Sequence, residues 1–488
     1  MKHILKGFMA CIIIFCAIVN YINPTAHAQS QDEQWEKIKE RGELRVGLSA
    51  DYAPYEFEHN VNGKTEYAGI DIELAKKVAK DNDLKLKIVN MQFDSLLGAI
   101  KTGKVDLIIS GMTPTPERKK EVDFSNPYMT VQQKMIIKKS DADNLKTIDD
   151  FANKKIGVQK QTQQEKIAQS DIENAQIQSL TRVPEVIMSL KSGKVSGMVI
   201  EGPVAEAYLK QNKDLTFADG VKFNEGTKST AIAAPKNAPK LMDKLNASIK
   251  EVKDKNLIED YKDSAAEAMK KDDGNFFSKY SSFFLKGIQN TILISIVGVL
   301  LGTVFGAIIA LIKLSKIRVF RWIASAYIEF LRGTPLLVQV FLVYFGTTAM
   351  LGLDISALIC GMIALVINCS AYIAEIIRAG INAVDKGQTE AARCLGLTYG
   401  QTMKTVILPQ AIKKILPALG NEFVTVIKES SIVSVIGVSE IMFNAQVVQG
   451  ASFDPFTPLL VAAVLYFILT FTLSRVMYFF EGRMKVSD

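Results

Sequence analysis

Five apolar runs, each close to the length that crosses a lipid bilayer, occupy the second half of this 488-residue chain. They lie at about 289–312, 322–345, 355–377, 418–437 and 457–480. Inside hydrocarbon every backbone polar group must be satisfied within the protein. Residues 283–488 are therefore expected to form an all-α transmembrane domain of about five helices. Residues 29–265 are mixed in composition and rich in charge, as in a water-soluble domain. The polar stretch 266–282, broken at Gly274-Asn275, reads as a linker. Residues 1–28 read as a secretory signal peptide: Lys2 and Lys6, an apolar core over 8–22, then Ala26-His27-Ala28. Such a leader puts residues 29–265 outside the membrane.

Charge gives a separate test of that orientation. The first span would run inward, and Lys313, Lys316, Arg318 and Arg321 follow its end. The loop after the third span carries Arg378, Lys386, Arg393, Lys404, Lys413 and Lys414. Segments 346–354 and 438–456, expected outside, have acids but no lysine or arginine. The pattern obeys the positive-inside rule and leaves the C-terminus, with Arg483 and Lys485, in the cytoplasm. Much of the net charge of +7 serves orientation. No basic stripe interleaved with aromatics marks a nucleic-acid partner.

Residue types exclude several chemistries. The five cysteines are Cys11, Cys16, Cys360, Cys369 and Cys394, none of them within 29–265. That rules out a disulfide framework or a cysteine metal site there. The only histidines are His3, His27 and His59, too few for a histidine metal site or a catalytic triad. No catalytic residue and no metal are expected.

Within the soluble half, strand-like runs at 44–48, 86–89, 105–109, 155–158 and 198–200 alternate with helical patterns at 72–79, 93–101, 164–169 and 184–191. This rhythm predicts α/β lobes with parallel sheets and ligand groups at the carboxyl ends of the strands. Two such sets suggest a bilobed domain, lobe 1 at about 40–130 and 220–265 and lobe 2 at about 134–218.

Three motifs sharpen this: Asp51-Tyr52-Ala53-Pro54-Tyr55-Glu56-Phe57, Gly69-Ile70-Asp71-Ile72-Glu73-Leu74, and Ser110-Gly111-Met112-Thr113-Pro114-Thr115-Pro116-Glu117-Arg118. Together they resemble the family 3 bilobed solute-binding proteins for polar amino acids, of the type II periplasmic-binding-protein fold. A zwitterion in a buried site needs a cation for its carboxylate and an anion for its ammonium. Arg118 suits the carboxylate, since its planar fork donates two parallel hydrogen bonds and keeps its charge. Ser110, Gly111 and Thr113 follow a strand and offer further donors. Glu201, after the strand at 198–200, suits the ammonium. The resemblance implies aromatic walls from Tyr52 and Phe93 and second-lobe contacts from Gln159 and Gln163. Ser49 stands where several relatives have an aspartate, which weakens the case for a lysine or arginine ligand and favours glutamine or another polar uncharged amino acid. Asp71 is expected to cap the helix beside it.

In the second half, Glu390-Ala391-Ala392-Arg393-Cys394-Leu395-Gly396 and then Val406-Ile407-Leu408-Pro409 resemble the cytoplasmic EAA loop of ABC import permeases. Tyr327 to Pro335 and Ala371-Tyr372-Ile373-Ala374-Glu375 resemble the amino-acid branch of those permeases (histidine, glutamate, glutamine, arginine, opine). The resemblance implies that Glu390 makes a charge contact with a cytoplasmic ATPase dimer, that Ala391 and Ala392 permit close packing, and that Gly396 permits the turn ahead of Pro409. Gln339, Asn368, Lys428 and Glu429 are polar residues within spans and candidates for the translocation path.

No phosphate-binding loop accompanies these motifs: before Gly63-Lys64-Thr65, Glu58 stands where the first glycine is needed. ATP is expected to be bound by a separate subunit, with no cofactor on this chain. The reading is a fused binding and permease subunit of an amino-acid ABC importer, a homodimer in the cell membrane of a Gram-positive bacterium. The alternative is a ligand-gated channel or membrane sensor. A channel would place spans within the second lobe and carry a selectivity filter, and neither is present.

Overall fold

A computed structural model describes residues 33–61, 64–224, 226–269 and 275–485. The expected leader, 1–28, lies outside the described residues.

Lobe 1 is built on a five-stranded sheet in the order Lys85–Asn90, Glu43–Leu48, Leu107–Ile108, Ala233–Ala234, Asp123–Phe124. The first three strands are parallel; the last two add antiparallel neighbours, so the sheet is mixed and not wholly parallel as expected. Leu44, Val46 and Leu48 are buried along the central strand, and Leu74, Ala75, Val78 and Ala79 form the inward face of the helix Ile70–Asp81. Only Leu107–Ile108 of the expected strand at 105–109 pairs as strand.

A small antiparallel sheet, Asp51–Tyr52, Glu56–Val61 and Lys64–Ala68, was not read from the sequence. It turns sharply into the helix at Gly69, whose φ is +127°. A Cβ there would stand 2.1 Å from Tyr55 O. Glycine at the head of the Gly69-Ile70-Asp71 run thus reflects backbone geometry. Asp71 is not a helix cap. It lies inside the first turn, fully buried, and accepts hydrogen bonds from Gly111 N (2.6 Å) and Tyr128 Oη (2.8 Å).

Lobe 2 has three parallel strands, Gln176–Leu180, Lys155–Gln159 and Gly197–Glu201. The ten-residue strand Met129–Lys138 then runs antiparallel to Gly197–Glu201 and to Leu215–Phe217. At its lobe 1 end Met129–Lys138 pairs with Thr227–Thr230. The two chain crossings between lobes therefore run side by side, tied by Tyr128 N to Thr230 O (3.0 Å) and Ser125 N to Ile232 O (2.9 Å). Paired crossings of this kind form a hinge.

Three helices of the second half are long and apolar enough to cross a membrane, and two bent pairs bring the total to five. The first, Phe276–Lys313, begins inside the stretch expected as linker. Its Gly302 and Gly306 face the helix Ala357–Asn382, where added Cβ atoms would stand 3.0 Å from Cys369 Cβ and 2.9 Å from Ser370 O. Small residues on one face bring helix backbones close together in a bilayer. The expected second span is broken: Arg318–Gly333 and Leu336–Leu351 meet at 106°. Pro335 supplies no N–H and disfavours helix at Thr334. The carbonyls freed at the break are taken by Gln339 Nε2, which donates to Leu331 O (2.8 Å) and Thr334 O (3.1 Å). The expected outer loop at 438–456 contains the helix Ile441–Ser452, capped by Glu440 through Phe443 N (2.6 Å).

The two halves meet through the segments expected outside. Arg45 Nη1 donates to Asp354 Oδ2 (3.0 Å), and Lys104 Nζ to Ile355 O (2.9 Å). Ile441–Ser452 packs on the strands Asp51–Tyr52 and Glu56–Val61.

Replacing Gly69 by alanine should cost about 2–3 kcal/mol, because the new Cβ meets backbone at a φ that L-residues avoid. In thermal unfolding of the full chain the midpoint should fall by about 5 °C or more. An unchanged midpoint would contradict this account of the turn.

Candidate functional site: the cleft between the lobes

Glu201 ends a central strand of lobe 2 and is fully buried. Three groups meet its Oε1: Tyr52 Oη from lobe 1 (2.7 Å), Gln164 Nε2 (3.1 Å) and the ammonium of Lys228. Around it lies a small cavity of about 20 Å³ lined by Ser49, Asp51, Phe93, Ser110, Gly111 and Gln159, among others. Seven of the sequence-derived residues thus meet in one place: Ser49, Tyr52, Phe93, Ser110, Gly111, Gln159 and Glu201.

Arg118 sits beside this cavity, at the mouth of the cleft, in a second cavity of about 420 Å³ that shares Phe93 and Thr162 with the first. Its position comes from Thr115, which caps the short helix Pro116–Glu121. The guanidinium carbon lies 5.3 Å from the Phe93 ring centroid. Nη1 donates to Thr113 O (3.0 Å), and Nη2 reaches across the cleft to Gln161 O (2.8 Å). Burial pushes its pKa down to about 10, which leaves it charged at neutral pH. Thr113 contributes its carbonyl to Arg118. Gln163 is half-buried and outside the cavity lining, whereas its neighbour Gln164 faces Glu201.

Several site residues escaped the sequence reading. Asp51 accepts from Ser49 Oγ (2.8 Å) and pairs with Arg182 of lobe 2, whose Nε lies 2.6 Å from Asp51 Oδ2. Glu56 accepts from Ser110 Oγ. Burial, and then the nearby Asp71, hold the Glu56 carboxyl well above the usual carboxylate range. Burial likewise raises Asp71 to about 7. Asp51 and Glu56 flank Tyr52 in a motif already singled out, so adjacency was an available signal. Lys228 gave none: its placement depends on pairing between residues a hundred positions apart, Thr130 with Ser229 among them.

The cleft also holds unmet hydrogen-bonding capacity. Glu56 Oε2, Gln164 Oε1 and Glu201 Oε2, all on residues lining the inner cavity, are buried without a partner among the described residues, as are both amide atoms of Gln133 behind it. Gln133 lies opposite Glu201 in the sheet. Buried polar atoms are ordinarily paired, so a concentration of unpaired ones in a cleft marks a place for polar guest atoms.

In the membrane half, Gln339 and Asn368 are buried together, Asn368 Nδ2 donating to Gln339 Oε1 (3.1 Å). They brace the broken span. Glu429 is half-exposed at the end of Leu408–Glu429. Lys386–Cys394, Tyr399–Thr402 and a π-helical turn at Met403–Ile407 form the loop that holds the coupling candidates. There Glu390, Ala391, Gly396 and Pro409 are exposed and Ala392 is buried, while Leu395 is 83% exposed. Gly396 has φ +84°.

Comparison with known proteins agrees with both halves. Residues 44–264 match the bacterial extracellular solute-binding proteins, family 3, and residues 302–486 match the binding-protein-dependent transport system inner membrane component. The chain is 43% identical to the arginine transport system permease protein ArtQ of Bacillus subtilis, over 42% of this chain and 94% of that one. It is 41% identical to a putative glutamine transport system permease protein GlnP of Rickettsia bellii, over 43% of this chain and 97% of that one. The soluble half is 37% identical to the amino acid ABC transporter substrate-binding protein AbpA of Streptococcus pneumoniae bound to L-arginine, covering 48% of this chain and 98% of that one, with a TM-score of 0.46. The chain therefore belongs to the amino-acid permeases of binding-protein-dependent ABC transport systems, and carries a family 3 extracellular solute-binding domain fused to its membrane domain.

Proposed function

We propose that this chain captures a polar, uncharged amino acid, glutamine foremost, between its lobes and passes it inward through its membrane half. The observation that carries the reading is that Arg118 of lobe 1 and Glu201 of lobe 2 line two adjoining interlobe cavities, which share Phe93 and Thr162. Arg118 takes the ligand carboxylate with help from Ser110, Gly111 and Thr113. Glu201 takes the ammonium, sharing or displacing Lys228. Tyr52 and Phe93 wall the side chain, and Ser49 and Gln159 complete the contacts, with Gln164 in the place expected of Gln163.

Charge bookkeeping favours an uncharged side chain. Lys228 already offsets Glu201, and Arg182 offsets Asp51. Burial favours the neutral form of Glu56. The inner cavity thus offers no spare negative charge to a cationic guest. At about 20 Å³ it is far smaller than an amino acid, so loading requires the lobes to part about the paired crossings. Bound ligand then favours closure by touching both lobes.

A second subunit supplies ATP hydrolysis. The exposed Glu390 and Leu395 of the coupling loop offer a charge and an apolar knob to it, Ala391 and Ala392 permit close approach, and Gly396 and Pro409 set the turn. Two copies of this chain would meet two ATPases, with Glu429 beside the shared path. The division proposed is a leader at 1–28, a binding domain at 29–265, a linker at 266–282 shortened by the helix that begins at Phe276, and a permease domain to 488. A binder fused to its permease suits a Gram-positive envelope, which has no outer membrane to retain a free one.

Calorimetric titration of the full chain in nanodiscs against each common amino acid should find glutamine among the tightest ligands. Arg118→Ala should weaken that binding by at least about 100-fold, since a buried carboxylate loses its bidentate guanidinium partner. Near-normal affinity in this variant would remove the clamp from the reading. Glu390→Ala should leave binding intact yet lower ATP-driven uptake by about tenfold or more in proteoliposomes with the ATPase. Uptake at the parental rate would discard the coupling role.

A further inference from the structure

A lysine is rarely buried, because its ammonium leaves water at high cost unless an anion meets it. Lys228 is 6% exposed. Along the strand Thr227–Thr230, Lys228 and Thr230 are buried while Thr227 and Ser229 are not. Pairing with Met129–Lys138 fixes this register, with Lys228 opposite Val131 and the hydroxyls of Thr130 and Ser229 3.1 Å apart. A slip of one residue would turn the ammonium to the other face. In the register observed it meets Glu201 Oε1 and forms part of the inner cavity wall.

An ammonium has three N–H donors. Among the described residues that of Lys228 has one acceptor, Glu201 Oε1. Unpaired acceptors lie on residues of the same lining: Glu201 Oε2, Gln164 Oε1 and Glu56 Oε2. The guest's own ammonium can therefore be taken up there with Lys228 still in place. Lys228 is the one lysine or arginine in this lining, which also holds Asp51, Glu56 and Glu201. Asp51 is offset from outside the lining by Arg182, and burial favours neutral Glu56. The sign of the inner cavity thus turns on Lys228. With it, the walls are balanced; without it, Glu201 would draw in a second positive charge. We propose that Lys228 sets the charge selectivity of the cleft: held on Glu201, it repels a cationic side chain and offers its remaining N–H groups to an amide or carboxylate oxygen of the guest. This rests on the reading of the cleft as an amino-acid site and names the residue that chooses among guests. Selectivity of this kind comes from an unfavourable element set against the wrong ligand. In a cavity of about 20 Å³ little water can screen it.

The test is calorimetric titration of the full chain in nanodiscs with two pairs of guests that differ in charge and hardly in shape. These are L-citrulline with L-arginine, and L-glutamine with L-glutamate. The parent should bind citrulline about tenfold or more tighter than arginine. Lys228→Gln removes the charge and keeps a donor for Glu201. It should shrink the citrulline-to-arginine preference, and weaken glutamate relative to glutamine, by about tenfold each. Lys228→Met keeps the length of the stem and should shift both ratios the same way, should the first variant fold poorly. Lys228→Arg keeps the charge and should hold the parental ratios. Were Lys228 only a support for Glu201, its loss would weaken all four guests alike. Unmoved ratios in both neutral variants, with glutamine still bound, would overturn the selectivity role and leave the amino-acid reading standing. A parent that prefers arginine to citrulline would overturn it without any variant. If the parent binds none of the four, the amino-acid reading itself fails and the role of Lys228 falls with it.

Discussion

A carboxylate with no access to water sits at the centre of this molecule. Glu201 closes a strand of lobe 2, and burial of such a group is tolerated only where donors surround it. The three donors come from three different places: Tyr52 from lobe 1, Gln164 from a helix of lobe 2 and Lys228 from a strand of the hinge. Satisfying one oxygen of this carboxylate, Oε1, brings both lobes and the crossings between them into one arrangement, while Oε2 is buried without a partner among the described residues. Arg118 and Asp51 add to the same effect, each bonding to the opposite lobe. The site is also the seam, and that is why a guest able to rearrange these bonds can govern closure.

In the membrane half the governing constraint is different. Backbone groups in hydrocarbon have no water to fall back on. The break at Thr334-Pro335 would strand carbonyls there, and Gln339 answers it, itself steadied by Asn368. These two residues stood out in the sequence as polar groups within spans. Their bonds are all used in bracing the break. Glycines at 302 and 306 let the first and third membrane helices approach closely, giving the bundle a rigid spine.

Between the halves, polar bonds and close backbone contacts combine. Arg45 is shared between Asp106 within lobe 1 and Asp354 of the membrane half. Gly437, at φ +86°, lies so near Asn90 O that a Cβ would stand 2.0 Å away. Lobe 1 is thereby held on the permease along a broad front, while lobe 2 is touched chiefly by Phe453 and its neighbours. Lobe 2 is the part freer to swing.

Much of this was written in one dimension. The soluble and membrane halves and the α/β lobes follow from hydrophobic period and charge, which are local properties of the chain. Charge complementarity and strand ends pointed to Arg118, Ser110 and Glu201, and the family resemblance to Tyr52 and Phe93; the fold brings all but Arg118 to one cavity, with Arg118 in the adjoining one. Tertiary structure alone decided the rest. Lys228 reaches the inner cavity, and Arg182 reaches Asp51 beside it, through pairing and packing between distant segments, which leave no periodic trace in sequence. Asp71 looked like a cap because caps are local, yet it serves Gly111 and Tyr128. The bend at Pro335 was open to expectation from its chemistry, but its 106° angle and its bracing by Asn368 belong to three dimensions. So does the meeting of Gly450 with Asp51, since no local property of either residue specifies a neighbour some four hundred positions away.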